Sequence, residues 1–157
     1  MEQLVDRVFS TISPELHQAV SRAMTEVRWA QLGIGSKSWD QREISEAARG
    51  WTGALPGISV ISNRGTVSHL DVSGHKEWYD FLVSAGKYSE CWFRLPDLEL
   101  RMEYSPGTMV ALNGRILRHE VVDWEGDRVC YAHWARPALL RSLSIDLPSW
   151  VTQSEFV

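Results

Sequence analysis

The sequence predicts a mainly β fold flanked by helices, a small β-sandwich or jelly-roll barrel preceded by helices that brace one sheet from outside. Three observations lead there. Helical periodicity is confined to the first fifty or so residues, about eight short β-forming runs follow Pro56, and 157 residues suffice for one compact domain around one core.

Ser13-Pro14-Glu15 offers an N-cap, a proline at the first helical position and an acid in the first turn, and Leu16, Val20, Met24 and Val27 recur at helical spacing, so a helix is expected from Pro14 to Trp29. Ser38-Trp39-Asp40-Gln41 has a capping-box pattern, with Ile44, Ala47, Ala48 and Trp51 on one face until Gly50 and Gly53 interrupt. The region 1–54 thus reads as helical support. Strands are expected at 58–62, 66–70, 78–84, 91–95 and 98–104, the last alternating strictly from Leu98 to Tyr104, with 91–95 as its antiparallel neighbour. Pro106-Gly107 turns the chain into a strand at 108–112, Asn113-Gly114 reads as a tight hairpin, 115–121 returns, and a turn at 123–127 leads into 128–135. The β core therefore runs over 55–136, and 137–157 holds a C-terminal helix and tail.

Composition removes several classes of protein. Cys91 and Cys130 lie far apart without CxxC spacing, which argues against a disulfide framework or a zinc site and for an intracellular compartment, nuclear or cytoplasmic. No basic leader precedes an apolar run and no apolar stretch is long enough to span a bilayer, so no membrane partner is expected. A net charge of −4 provides no global basic field, so a nucleic-acid partner would have to be gripped by a local patch. The candidates are Lys76, Lys87, Arg94, Arg115 and Arg118, but Glu77, Glu90, Glu120 and Asp123 interleave with them and read as a mixed, solvated surface. The eight tryptophans read as packing residues rather than as a stacking platform.

The chemistry resides in a few side chains. His69 and Asp71 are two apart on an expected strand, so both leave from one face and could share a metal ion. His119, on a late strand, could bring a second imidazole against them. Two histidines and one carboxylate form a facial triad that leaves coordination positions open, which suits Fe(II) with a bidentate cosubstrate and dioxygen better than a closed structural zinc site. Nine residues further, Arg128 could clamp the distal carboxylate of 2-oxoglutarate by a bidentate ion pair. Taken singly, each residue also has an ordinary reading, His119 as a solvent-facing histidine and Arg128 as a surface partner of Asp127 or Glu125.

Four blocks carry a family resemblance: ISVISNRGTVSHLD at 58–71, EWYDFLVSAGKY at 77–88, YSPGTMVALNGRILRHEV at 104–121 and EGDRVCYAHWAR at 125–136. The stretch 55–136, about half the chain, resembles the TET/JBP-like oxygenases of mushroom-forming fungi. That resemblance implies a double-stranded β-helix with His69, Asp71 and His119 as iron ligands and Arg128 as the 2-oxoglutarate arginine. It also implies that Arg64 reaches the cosubstrate or a target base, with Asn63 adding a hydrogen bond beside it. The expected activity is hydroxylation of a C–H group, the methyl of a modified nucleobase of the 5-methylcytosine type in DNA or RNA. Two other readings remain open at this point: a small-molecule oxygenase with a closed, Trp-lined pocket, and a binding protein that keeps the metal site without turnover.

Overall fold

The chain turns back on itself at a short 3-10 turn, Pro96–Leu98, and this reversal organises the whole β structure. The computed structural model describes residues 1–29, 41–150 and 152. Among them are eight strands: β1 (Gly57–Ser62), β2 (Thr66–His69), β3 (Asp80–Ser89), β4 (Trp92–Leu95), β5 (Leu100–Glu103), β6 (Met109–Leu112), β7 (His119–Val122) and β8 (Glu125–Trp134). Every strand before the turn pairs antiparallel with one after it: β1 with β8, β2 with β7, β3 with β6 and β4 with β5. The additional pairs β3–β8 and β4–β7 gather them into two four-stranded sheets, ordered β1-β8-β3-β6 and β2-β7-β4-β5. A long hairpin wound in this way is a jelly roll, and the expected mainly β fold with flanking helices is what the chain adopts.

The two sheets close over a shared apolar interior. Phe93, Leu95 and Val121 from one sheet meet Tyr88 and Leu112 from the other, with Cys91 and Tyr104 beside them. Phe93 and Tyr104 are wholly buried, their rings edge to face at 5.4 Å. Burial of each such side chain contributes roughly 1.5–3 kcal/mol.

Several local expectations need correction. β6 and β7 lie in different sheets, so Asn113-Gly114 is no two-residue hairpin; residues 113–118 form a crossing turn and the returning strand begins only at His119. β3 starts at Asp80 rather than Trp78 and continues to Ser89, because the ten-residue β8 gives it partners along its length. The turn before β8 is confined to Asp123 and Trp124, so Arg128 sits inside the strand instead of at its start. The alternation from Leu98 to Tyr104 buries only its last apolar positions: Leu98 is 56% exposed and Leu100 44% exposed. The reason is that Leu98 belongs to the 3-10 turn and β5 is an edge strand.

The helices belong to a second compact unit, residues 1–56 with 135–157, distinct from the β unit of 57–134. α2 (Pro14–Trp29) has the expected bounds, with Leu16, Val20, Ala23 and Met24 buried, while Val27 is half-buried. α3 (Gln41–Gly50) follows; its expected cap, residues 38–40, lies outside the described residues, as does the side chain of Ile44. The Arg28 guanidinium bonds the carbonyls of Ala48, Trp51 and Gly53 at 3.2, 2.7 and 3.1 Å, satisfying acceptors at and just beyond the C-terminus of α3. An α1 (Glu2–Ile12) that sequence reading did not single out buries Val5 and Phe9, one helical turn apart. α4 (Pro137–Ser142) buries Leu140, and His17 bonds Asp6 at 3.1 Å between α2 and α1. No described helix is long and apolar enough to cross a membrane.

Candidate metal centre

β2 and β7 pair so that His69 stands opposite His119. Between this pair and Thr66–Val121, β2 has one more residue than β7, a bulge of the kind that re-aims a side chain next to a site. Asp71 lies just past the end of β2, not on the strand, so its direction is set by the turn; its backbone N–H donates to Gly114 O at 2.8 Å. His69 Nε2 is 3.5 Å from Asp71 Oδ1 and His119 Nε2 is 3.7 Å from Asp71 Oδ2. One ligand atom from each of the three residues falls within 4.8 Å of the others, close enough to hold one ion.

Both imidazoles are held in the tautomer a metal needs. Nδ1–H of His69 donates to Val67 O at 2.9 Å and Nδ1–H of His119 to Leu117 O at 3.1 Å, which leaves each Nε2 as a lone-pair donor turned towards Asp71. His119, with its side chain only 6% exposed, stacks on Phe93 with ring centroids 5.9 Å apart. Burial lowers its pKa below the usual histidine value; the proximity of His69 acts the same way, against the opposing pull of the Leu117 carbonyl and Asp71. The His69 and Asp71 side chains are 34% and 31% exposed, so the cluster is open on one side.

Arg128 projects from β8 into the shared interior and is 1% exposed. Its guanidinium carbon lies 5.0 Å over the Tyr104 ring and 6.0 Å from the Trp124 ring centroid. Tyr104 touches Phe93, which stacks on His119, so aromatic contacts run from the guanidinium to the three clustered residues. The groups around Arg128 are neutral: burial raises the pKa of Tyr88, Cys91, Tyr104 and Cys130 and outweighs the lowering pull of the guanidinium itself. No ion pair to Arg128 is present among the described residues, and its Nε has no hydrogen-bond partner. A buried cation with no internal anion calls for an external one. The fit is therefore good on both counts: two imidazoles turned by their Nε2 atoms towards a carboxylate suit a divalent transition ion, and a buried guanidinium that faces no anion among the described residues suits a carboxylate.

Asn63 and Arg64 form the link from β1 to β2. Asn63 Oδ1 accepts the Arg128 backbone N–H at 2.7 Å, its N–H donates to Arg128 O at 2.8 Å, and its Nδ2 reaches Asp127 Oδ1 at 3.1 Å. Its amide therefore holds the backbone that carries Arg128. Arg64 is exposed, and no contact in the structure links it to the three clustered residues. Residues that sequence reading passed over include Phe93 under His119, the Tyr104 and Trp124 rings around Arg128, and Gly114 against Asp71. Of these, only Gly114 carries a local signal, the Asn113-Gly114 pair, which by itself points to a hairpin.

A jelly roll carrying an open two-histidine, one-carboxylate cluster and a buried arginine that faces no anion among the described residues has the framework of an iron-dependent oxygenase. Residues 1–140 match the Tet_JBP family, the oxygenase domain of the 2OGFeDO superfamily, and the chain belongs to that family. The match takes in the N-terminal helices, residues 1–56, as well as the motif-bearing half. The superfamily is one of 2-oxoglutarate- and Fe(II)-dependent dioxygenases. No curated protein matches the chain.

Proposed function

We propose that this protein is an Fe(II)- and 2-oxoglutarate-dependent dioxygenase that hydroxylates a C–H group, and that the group is the methyl of a modified nucleobase of the 5-methylcytosine type. The observation that carries the reading is the pairing of two features: the His69–Asp71–His119 cluster and the buried Arg128 without an internal anion. When bound, Fe(II) and 2-oxoglutarate supply dioxygen activation coupled to loss of carbon dioxide, leaving succinate and an oxidised substrate.

In this reading His69, Asp71 and His119 hold the iron on one side and leave the other open. Arg128 receives the distal carboxylate of 2-oxoglutarate through its fork of N–H donors, and the Tyr104 and Trp124 rings hold the guanidinium flat and exclude water from it. Asn63 fixes the β8 backbone from which Arg128 projects. Arg64, exposed beside the site-bearing strand β2, contacts the cosubstrate or an extruded base. The family match over residues 1–140 takes in residues of both compact units, which supports treating the chain as one oxygenase domain.

A second reading, a metabolite as substrate, is favoured by a specific observation. The net charge is −4, and Arg94, one of the basic rim candidates, is paired with Glu120 at 3.6 Å and Asp123 at 2.8 Å. Succinate release from 2-oxoglutarate by protein purified without oxygen and then given Fe(II), ascorbate and air tests both readings. The dioxygenase is supported if turnover disappears in His69→Ala and in Arg128→Ala. The nucleobase reading is supported if methylated oligonucleotides raise turnover and acquire an oxidised methyl. Turnover without nucleobase oxidation moves the substrate to a small molecule, and absence of turnover in every condition leaves only a binding role.

A further inference from the structure

Asn113 and Gly114 join β6 to β7, and a turn of this kind asks for nothing more than conformational freedom. Here both residues are buried and both touch the segment that carries Asp71. Gly114 O accepts the Asp71 backbone N–H at 2.8 Å. Asn113 Nδ2 donates to Lys76 O at 2.6 Å, five residues beyond Asp71. Within the held segment, Asp71 O accepts from Gly74 N at 2.9 Å, and a β-carbon at Gly74 would stand 3.4 Å from that of Arg115, the next residue of the same turn. The loop is thus fastened on both sides of its bend.

Space at Gly114 is equally specific. A β-carbon there would collide with Asp71 Oδ2, and would stand 3.1 Å from Asp71 Cγ and 3.2 Å from His119 Cε1. The absent side chain is what lets the carboxylate lie against the second imidazole. Asn113 is 3% exposed and its Oδ1 has no hydrogen-bond partner, so its burial carries an unmet acceptor. An amide kept in a destabilising place for one bond to Lys76 has a use beyond turning the chain.

We propose that Asn113 and Gly114 are positioning residues for the carboxylate ligand: they clamp residues 71–76 so that Asp71 presents its oxygens to His69 and His119. This rests on the reading of those three residues as a metal site. Groups one layer behind the ligands commonly change metal affinity by about 10- to 100-fold.

The test is Co(II) binding to metal-free full-length protein under nitrogen, followed by the visible d–d band, which reports ligand number and geometry without turnover. Asn113→Ala is expected to weaken Co(II) binding about tenfold and to shift the band, and Gly114→Ala to weaken it further, towards Asp71→Ala. Asn113→Ser keeps a turn-forming residue but falls short of Lys76; it should reproduce the effect if the alanine variant does not fold. Val83→Ala, a core truncation in β3, is the control that lowers the melting temperature without moving affinity or band. Asn113 variants with a lowered melting temperature but native affinity and band would overturn the inference and leave a plain turn. Native protein and His69→Ala binding Co(II) equally would overturn the metal reading itself, and the inference with it.

Discussion

Arg128 is where the molecule stores an unmet electrostatic demand. A guanidinium in the interior faces two aromatic rings and a set of neutral hydroxyl and thiol groups, and cation–π contact of about 0.5–2 kcal/mol offsets only part of the desolvation it has suffered. Removing such a charge in favour of an apolar side chain of similar length is neutral or stabilising when no partner is left behind. Arg128→Met is therefore expected to melt at or above the native temperature in the absence of ligands. On the dioxygenase reading, 2-oxoglutarate with Mn(II) is expected to stabilise the native protein by about 2.7 kcal/mol at one hundred times the dissociation constant, and the variant should lose that rise. Differential scanning fluorimetry with and without 2-oxoglutarate checks both parts. A variant that melts well below native without ligand would mean that the protein's own groups already satisfy the guanidinium.

Among the elements, the β3–β8 pair determines where Arg128 lies. Gly86, opposite Arg128, has φ +124°, and a β-carbon there would drive into the Asp127 carbonyl of the neighbouring strand. Gly86→Ala is expected to cost about 1–3 kcal/mol or more in urea unfolding and to weaken 2-oxoglutarate binding, while Co(II) affinity stays native because β2 and β7 lie in the other sheet. Asn63→Ala tests the same support from the β1 side. It removes the acceptor of the Arg128 N–H and the contact to Asp127, and should cost about 1–2 kcal/mol with weaker cosubstrate binding by calorimetry. The existence of these strands was legible in the sequence, because alternating β-formers between turn residues are a local signal. Their assignment to sheets was not. Asn113-Gly114 and the turn before β8 look like hairpins locally, yet each carries the chain across to the opposite sheet. For the same reason residue type and spacing singled out the three side chains that the fold brings together, but placed Asp71 on β2 when a turn anchored to Gly114 directs it. Phe93, Tyr104 and Trp124 share no residue spacing or flanking motif, so nothing local separates the rings around the site from rings that only fill the core.

For the molecule as a whole, the open question is what approaches the exposed side of the cluster, and net charge makes it a quantitative one. A nucleic-acid substrate must be held by phosphate contacts from the exposed cations near the site-bearing segments, Arg64, Lys76, Arg115 and Arg118. Arg94 is already engaged by Glu120 and Asp123, whereas the side chain of Lys76, 71% exposed, makes only a 3.9 Å contact with Glu77. Each neutralised phosphate contributes about −0.9 to the slope of log K against log salt, so four contacts give a slope of about −3.6 on duplex DNA. With a total charge of −4 there is no distributed field to add to this, and the slope should reflect these residues alone. On the nucleobase reading, fluorescence anisotropy of a methylated duplex across a salt series gives that slope, and Arg64→Ala lowers its magnitude by about 0.9 while leaving Co(II) affinity unchanged. Binding with no salt dependence, or none above background at low salt, in a protein that still turns over 2-oxoglutarate, means that phosphates are not what the exposed arginines meet. The substrate is then a small molecule that enters beside Asp71 and His69, where the cluster is open.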